Sequence, residues 1–408
     1  MTRPSVIERR RFLAGTGAAA AALAAPGLVR AQGAPIKVGE INSYSTAPAF
    51  TLPYRNGIAL AVEQVNAGGG LIGRPLEFVH RDDAGRPEDA VRHAGELINN
   101  ERVDLLAGTY LSNIGLAVSD FARQNRRLFV ASEPLTDAIV WAQGHRYTYR
   151  LRPSTYMQAA MLAEEAARLP AKRWASVSPN YEYGQSAVRW FKALLQARKP
   201  DVEFVAEQWP ALGRIDAGAT VQALAAANPE AIFNVTFGAD LTNFVRQGNT
   251  RGLFERRSVV SVLTGEPEYL DPLGEETPEG WIVTGYPWDQ VNTPEHTRFR
   301  DAYRQKFNDH PRLGSVVGYD TVNAIAAAIR RAGAVDNEKL VDAFAGLTFQ
   351  SPFGGVEFRA IDHQATLGCY VGKLAVRNRR GVMTDWRYAD GKNYLPPDAE
   401  VRRLRPQG

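Results

Sequence analysis

The chain has 408 residues, of which 45% are hydrophobic and 23% are charged. This length exceeds one ordinary core and predicts two domains, and the composition excludes a disordered chain. The formal charge of +4 lies in residues 1–31, so the remaining 43 basic and 43 acidic side chains give no electrostatic reason to expect nucleic-acid binding. The one cysteine, Cys369, excludes an intrachain disulfide and a multi-cysteine metal cluster.

The N-terminus is typical of an export signal. Arg9-Arg10-Arg11-Phe12-Leu13 matches the twin-arginine pattern, and the weakly apolar stretch from Ala14 to Ala25 is too short to span a bilayer. Cleavage after Ala31 would remove a signal peptide over residues 1–31. The alternative, an amphipathic or buried helix, is disfavoured because the stretch has no polar face. No cysteine lies near the cut, so we expect a freely soluble periplasmic protein without a lipid anchor.

From Pro35 onward, strand patterns alternate with helix patterns. Ile36 to Ile41 predicts a strand, Pro53 to Ala67 a helix, and Leu76 to His80 a second strand that precedes a helix around Ala94. The helix from Pro53 ends at Gly68-Gly69-Gly70-Leu71-Ile72-Gly73. This run satisfies G-x-G-x-x-G, but it lies between a helix and a strand, the reverse of the order in a dinucleotide site.

The stretch from Val103 to Thr136 predicts a ligand-binding edge. Two apolar runs, Val103 to Ala107 and Leu128 to Ala131, predict parallel strands whose following loops meet at one edge of a sheet, where open α/β sheets bind ligands. Ser112 and Asn113 would lie at a helix N-terminus, whose unpaired N–H groups and dipole suit a carboxylate. The alternative is that both residues only cap the helix, since Ser and Asn are preferred caps.

A second series of strands and helices starts near Tyr147, after which Leu151-Arg152-Pro153 predicts a crossover. Its helices are expected at 154–168, 185–197, 220–227, 239–247, 294–308, 315–331 and 337–345. Its strands are expected at 174–177, 203–206, 231–235, 258–263, 281–284, 356–358 and 370–374, with a further strand-like stretch to Tyr388. The alternation predicts an α/β fold of two doubly wound parallel-sheet lobes with a ligand cleft between them.

Catalytic and cofactor signatures are lacking. No P-loop or G-x-S-x-G elbow occurs, and the six histidines form no H-x-x-x-H pair, so we expect no catalytic residues, no metal and no cofactor. A metal site or an acid/base pair at Asp82-Asp83 is disfavoured, because adjacent carboxylates at a strand end point to opposite faces. We interpret them as loop caps that form a salt bridge with Arg81 or Arg86.

Aromatic residues collect in predicted loops and at strand ends, where they would wall an apolar ligand cleft rather than fill a core. They are Tyr44, Phe50, Tyr110, Tyr181, Tyr183, Phe237, Tyr286 and Trp288.

Gly68 to Glu77, Asp82-Asp83-Ala84, Asn180 to Gln185 and Val245-Arg246-Gln247 resemble the leucine/isoleucine/valine-binding family of ABC-importer periplasmic proteins. The resemblance covers nearly the whole mature chain. It implies a type I periplasmic binding fold with three crossings, near 151–153, 284–287 and 348–355. Lobe 1 would comprise 34–151 plus 286–348, and lobe 2 would comprise 152–285 plus 349–408.

The same resemblance implies a set of ligand-binding residues. Ser112 and Asn113 match the loop that takes the ligand's carboxylate, in agreement with the helix N-terminus, and Glu266 matches the acid that faces an α-ammonium group. The remaining expected binding residues are Phe50, Tyr110, Glu133, Leu135, Tyr183 and Phe237.

Some of these positions depart from the family pattern. Glu133 and Leu135 replace small or hydroxylated residues, Phe237 replaces a Tyr, Gly85 and Leu111 replace paired cysteines, and Tyr44-Ser45-Thr46 replaces a Ser-Gly-Pro turn. Each lost hydroxyl removes a polar partner worth about 1 kcal/mol or more to a desolvated amino acid. An aromatic or other organic acid is therefore a serious rival ligand.

The leading hypothesis is a periplasmic substrate-binding component of an ABC transporter. It would capture a branched-chain or related amino acid as a monomer and deliver it to the permease subunits in the inner membrane. The first alternative keeps this role for an aromatic or other organic acid. The second is a ligand-sensing regulatory domain, and an enzyme is the least favoured class.

Overall fold

The computed structural model describes residues 33–405, which form two α/β lobes, each built on its own sheet. The predicted signal peptide over residues 1–31 lies outside the described residues. Between residues 33 and 405, no helix has both the length and the apolar character needed to cross a membrane.

Lobe 1 is built on a parallel sheet whose strands are β1 (Ile36–Asn42), β2 (Leu76–Asp82), β3 (Leu105–Gly108), β4 (Phe129–Ala131) and β5 (Thr148–Arg150). Their order is β2-β1-β3-β4-β5, so the chain doubles back across β1. The central strands β3 and β4 are fully buried, as expected for a parallel sheet covered by helices on both faces. The sequence predicts the first four strands, whereas β5 has only three residues and shows no period.

Lobe 2 contains a larger sheet whose strands are β6 (Arg173–Val177), β7 (Glu203–Gln208), β8 (Ala231–Asn234), β9 (Ser258–Gly265), β10 (Ile282–Gly285), β13 (Cys369–Arg377) and β14 (Arg380–Ala389). The intervening strands β11 (Thr348–Ser351) and β12 (Gly354–Glu357) form a separate hairpin. The large sheet has the order β14-β13-β10-β9-β8-β6-β7, and β13 and β14 are antiparallel. Asn378 and Arg379 both have positive φ, which suits the tight turn of a hairpin and makes a parallel pairing impossible there.

The helices are α1 (Pro48–Ala67), α2 (Pro87–Asn99), α3 (Ser112–Gln124), α4 (Thr155–Ala166), α5 (Glu182–Arg198), α6 (Ala217–Ala227), α7 (Gly238–Thr250), α8 (Pro267–Leu273), α9 (Pro294–Phe307), α10 (Leu313–Ala332), α11 (Asn337–Phe344) and α12 (Asp398–Leu404). Helices α9 and α10 follow β10 of lobe 2 but pack against α1 of lobe 1. The α1–α10 contact is very close, because a Cβ on Gly57 would lie 2.0 Å from the Ser315 carbonyl oxygen.

The predicted start of the first helix at Pro53 is wrong. Helix α1 begins at Pro48, and Pro53 lies inside it. Pro48 suits the first turn, and Pro53 removes only one backbone donor in the second turn, so the helix continues through it. Phe50, which was expected in a loop, therefore lies in the first turn of α1 and is 1% exposed.

The predicted capping role of Asp82 and Asp83 is confirmed, but their predicted salt bridge is wrong. Asp82 accepts hydrogen bonds from the N–H groups of Ser45 and Ala84. Asp83 accepts from the Ser43 hydroxyl and the Gly85 N–H. Arg81 instead pairs with Glu101, and Arg86 pairs with Asp89 one helical turn ahead, so neither guanidinium is available to this turn.

Candidate ligand-binding site

The N-terminus of α3 points into the cleft with unused donors. Strand β3 ends at Gly108, and α3 starts at Ser112 after the N-cap residue Leu111, which makes no side-chain capping bond. The Ser112 hydroxyl accepts a hydrogen bond from the Thr136 N–H at 3.2 Å instead of capping the helix. Within residues 33–405, the N–H groups of Ser112, Asn113 and Ile114 donate to no other group. These donors and the helix dipole can bind an anion.

A buried charged cluster lies across from this helix and is formed by Glu133, Arg152 and Glu266. Glu133 follows β4 of lobe 1, Glu266 precedes α8 of lobe 2, and Arg152 comes from the crossover between the lobes. One Arg152 Nη atom donates to Glu133 Oε1 and the other to Glu266 Oε1. The three side chains are 3%, 3% and 1% exposed, so they are almost fully desolvated.

This cluster carries one carboxylate more than it has guanidinium groups. In the described part of the chain, the second oxygens of Glu133 and Glu266 have no hydrogen-bond partner. Burial raises the pKa of Glu133 to about 8 and that of Glu266 well above its usual range, although Arg152 lowers both. Burial alone would lower the pKa of Arg152, but the charges on Glu133 and Glu266 outweigh it and raise that pKa.

Aromatic side chains surround the space between α3 and the cluster. Tyr110 packs against Phe50 with ring centroids 5.2 Å apart and meets Phe237 edge to face at 6.2 Å. Tyr183 meets Phe237 edge to face at 5.7 Å, and its buried hydroxyl has no partner among residues 33–405. Tyr110 and Tyr269 also exchange a hydrogen bond of 3.2 Å across the lobes. These rings give the site an apolar wall with a few polar ends.

The cavity they enclose is small, about 20 Å³. Its lining residues are Tyr110, Ser112, Glu133, Leu135, Tyr181, Tyr183, Phe237 and Leu263. Binding pockets for small molecules typically have ~300–1,000 Å³. The two lobes therefore meet across the cleft, and a ligand must separate them or rotate these side chains in order to enter.

Two residues beside the site, one in each lobe, have a strained backbone. Thr109, between β3 and α3, has φ of 62°, and Leu263 in β9 has φ of 68°. Positive φ is unfavourable for residues with branched or bulky side chains, and such strain is concentrated at binding sites. Thr109 directly precedes Tyr110. Leu263 begins the turn that leads to Glu266, and the Glu266 N–H donates a hydrogen bond to the Leu263 carbonyl.

The structure brings the predicted site residues together. Six of the nine line the cavity, and the other three, Phe50, Asn113 and Glu266, lie next to Tyr110, Ser112 and Arg152 respectively. Three of the eight aromatic residues assigned to the cleft wall lie elsewhere. The Tyr44 hydroxyl donates to Glu40, Tyr286 bonds to His296 at 2.5 Å, and Trp288 stacks on His310 at 4.7 Å. The two tyrosine hydroxyls and the Trp288 ring thus find protein partners away from the cavity, which the loop position alone does not reveal.

The sequence analysis missed Arg152, Leu263 and Tyr269 as residues of this region. Arg152 was interpreted only as part of a crossover, and a charged residue before Pro153 gives no signal of burial. Tyr269 lies one helical turn after Glu266 in α8, and this spacing could have placed both on one face. Leu263 ends an apolar run, and its backbone strain has no signature in the sequence.

Residues 33–405 contain no group of three or more His, Cys, Asp and Glu side chains placed to hold a metal ion. The acidic residues of the cleft are instead engaged by Arg152 or by backbone donors.

Comparison with known proteins identifies the family. The family model described as periplasmic binding protein matches residues 35–380. A curated relative is the leucine-, isoleucine-, valine-, threonine- and alanine-binding protein of Pseudomonas aeruginosa, which is 25% identical over 305 residues, 74% of this chain and 80% of that protein.

Solved structures share the fold. A solute-binding protein of an ABC transporter from Rhodopseudomonas palustris, in complex with 3,4-dihydroxybenzoic acid, matches with a TM-score of 0.78 and 24% identity, covering 87% of this chain and 98% of that one. A leucine-, isoleucine-, valine-, threonine- and alanine-binding protein from Brucella ovis, in a closed conformation, matches with a TM-score of 0.77 and 18% identity, covering 89% and 97%. The chain therefore belongs to the periplasmic binding protein family, the solute-binding and non-enzymatic components of ABC transporters.

Proposed function

We propose that this chain captures a small carboxylate-bearing solute between its lobes and delivers it to the permease subunits of an inner-membrane ABC importer. The observation that carries the proposal is the N-terminus of α3, where three N–H groups have no partner in the described residues and Ser112 lines the cavity. We further propose export through a twin-arginine signal over residues 1–31, no lipid anchor, a monomeric state, and lobes of 34–151 plus 286–348 and 152–285 plus 349–408.

The leading ligand is a branched-chain or related amino acid. Its carboxylate would accept hydrogen bonds at the N-terminus of α3, and its ammonium group would offset the surplus carboxylate of the Glu133–Arg152–Glu266 cluster. Leu135, Leu263 and the aromatic rings would bury an apolar side chain, which contributes roughly 25 cal/mol per Å² of buried apolar area. The amino-acid specificity in the name of the Pseudomonas aeruginosa relative supports this choice.

The second candidate is an aromatic acid, and a specific observation favours it. Glu266, which was expected to face an ammonium group, is already paired with Arg152. Four aromatic rings also line the cavity, at Tyr110, Tyr181, Tyr183 and Phe237. Solute-binding proteins of Rhodopseudomonas palustris with the same fold are described in complex with 3,4-dihydroxybenzoic acid and 4-hydroxybenzoate.

A thermal-shift screen of residues 32–408 tests the proposal. The probes are leucine, isoleucine, valine and phenylalanine in one set, and benzoate, 4-hydroxybenzoate and 3,4-dihydroxybenzoate in the other. A ligand at about 100 times its Kd adds about 2.7 kcal/mol of stability, so binding raises Tm visibly. Stabilisation by the first set alone supports the amino-acid role, and stabilisation by the second alone supports the aromatic-acid role. If no probe of either set raises Tm, both ligand assignments are wrong.

A further inference from the structure

We propose that Arg152 is a specificity-determining residue that neutralises only one of two cleft glutamates, so the closed cleft must take one more positive charge, either from an ammonium group of the ligand or from a proton. This inference rests on the proposed function, since it concerns the same cleft. Arg152 lies on neither wall of the cleft. It comes from the crossover between the lobes and holds Glu133 of lobe 1 and Glu266 of lobe 2 at once.

The charge balance of the cluster follows from its contacts. Two carboxylates share one guanidinium, and each keeps one oxygen without a partner in the described residues. Apart from Arg152, no cation among residues 33–405 forms an ion pair with Glu133 or Glu266. One face of the Arg152 guanidinium lies over the Phe50 ring in a cation–π contact, with the ring centroid 5.5 Å from the guanidinium carbon. Two ionised carboxylates would thus leave one uncompensated negative charge in a desolvated site, which is unfavourable.

A third buried carboxylate, Glu268, lies close enough for its charge to raise the pKa of both Glu133 and Glu266. Glu268 in α8 accepts a hydrogen bond of 2.7 Å from the Gly314 N–H at the N-terminus of α10. Burial raises the pKa of Glu268, although the backbone donors of α10 lower it. Glu268 therefore adds to the negative charge around the cluster and cannot supply the missing positive charge.

The other titratable side chains around the cluster stay neutral. Burial raises the pKa of each of them above its usual range, and they are Tyr54, Tyr110, Tyr181, Tyr183, Tyr269 and Cys369. None of them supplies the missing positive charge. In an open cleft, water solvates Glu133 and Glu266, and both carboxyls ionise near their usual pKa of about 4.3. Closure therefore takes up a proton from solution unless the ligand brings a cation.

This predicts that the affinity of the two ligand classes depends differently on pH. The pKa of Glu133 is raised to about 8 in the closed state, so closure on an ammonium-free acid is favoured at low pH. That advantage is lost as pH rises from about 4.3 toward 8. An amino acid supplies its own cation, so its affinity should change little over the same range.

The test compares acids that differ only in the ammonium group. Calorimetric titrations of the 32–408 chain are run at pH 7 with leucine and 4-methylpentanoate, and with phenylalanine and 3-phenylpropanoate, each in phosphate and in Tris buffer. The dependence of the heat on the buffer's ionisation enthalpy gives the number of protons exchanged. We expect each ammonium-free acid to take up about one proton more than its amino acid.

The variant E133Q supplies the control. It leaves one carboxylate for one guanidinium in the cluster. The difference in proton number within each pair of ligands should therefore disappear, and the amino acids should bind at least tenfold more weakly.

If only an ammonium-free acid binds, E133Q should lower its proton uptake by about one. If only an amino acid binds, E133Q should weaken it and leave its proton number unchanged. The inference would be overturned by equal proton numbers within a pair in the wild type. It would also be overturned if E133Q left unchanged the number of protons taken up when an ammonium-free acid binds. No binding by any of the four probes would contradict the amino-acid role in the proposed function, and the comparison of wild type with E133Q is then made with benzoate, whose proton uptake E133Q should lower by about one.

Discussion

Ser112 contributes two different groups to the cleft, an N–H at the first position of α3 and a hydroxyl that accepts from Thr136 at 3.2 Å. The variants S112A and S112P separate them, because both lose the hydroxyl and only proline loses the N–H. Proline is favoured at the first helical position, and Leu111 has φ of −75° and ψ of 141°, the region that a residue before proline adopts. We expect S112P to bind the carboxylate about tenfold to a hundredfold more weakly than S112A, since hydrogen bonds to charged groups contribute about 1.5–3 kcal/mol. Calorimetry with leucine or benzoate, whichever stabilises the protein, measures this ratio.

The two variants are matched in stability, because each leaves the Thr136 N–H without its acceptor. Similar Tm values would show that the difference in affinity does not come from unfolding. Equal affinities would show that the carboxylate does not bind at the N-terminus of α3.

The position of Ser112 could be predicted from sequence, because an apolar strand followed by a polar loop and a helix period is a local pattern. The role of Arg152 could not, because its partners lie 19 and 114 residues away.

Helices α1 and α10 cross so closely that glycines are required at the contact. A Cβ on Gly318 would lie 2.0 Å from the carbonyl oxygen of Tyr54 in α1, and this backbone atom cannot move away without its helix. We expect G318A to destabilise the protein by about 1–3 kcal/mol, the usual cost of overpacking. Because Phe50 extends from α1 to Tyr110 in the cleft, the same shift should weaken ligand binding. Denaturant unfolding and calorimetry measure the two effects.

The control is G95A in α2, where an added Cβ would have no atom within 4 Å. Alanine is favoured over glycine in a helix by roughly 0.5–1 kcal/mol, so G95A should be neutral or stabilising and should leave affinity unchanged. A G318A variant as stable as G95A would show that α1 and α10 are further apart than described.

The long helices were predictable and the shortest helices were not, for a physical reason. Helix α10 spans 20 residues, so its apolar period is repeated over several turns and stands out in the sequence. Helix α8 has seven residues with Pro272 inside it, which is too short for a period and contains a residue that argues against a helix. It exists because its side chains are bound by the opposite lobe, as Glu268 is by Gly314 and Tyr269 by Tyr110. Such stabilisation by tertiary contacts is invisible in the local sequence.

Closure of the whole molecule is supported by contacts at the rim of the cleft that do not touch the cavity. Asp271 in α8 of lobe 2 lies 3.0 Å from His310 and 3.0 Å from Arg312, which precede α10 of lobe 1. These contacts exist only while the lobes are together, so they favour the closed state, and a ligand that binds this state benefits from them. We expect D271N to raise the ligand's Kd about twofold to fivefold, because partly exposed ion pairs contribute ~0.2–1 kcal/mol.

D271N should change the overall dimensions of the ligand-free protein and leave those of the ligand-bound protein unchanged. Small-angle X-ray scattering should give D271N a larger radius of gyration than the wild type without ligand, and an equal radius when both are saturated. E276Q is the matched control, because it breaks the exposed pair of Glu276 with Arg246 inside lobe 2 and spans no cleft. It should leave Kd and both radii unchanged. If D271N behaved like E276Q, closure would depend on the Glu133–Arg152–Glu266 cluster and the aromatic contacts of the cleft alone, and the rim would play no part in the affinity.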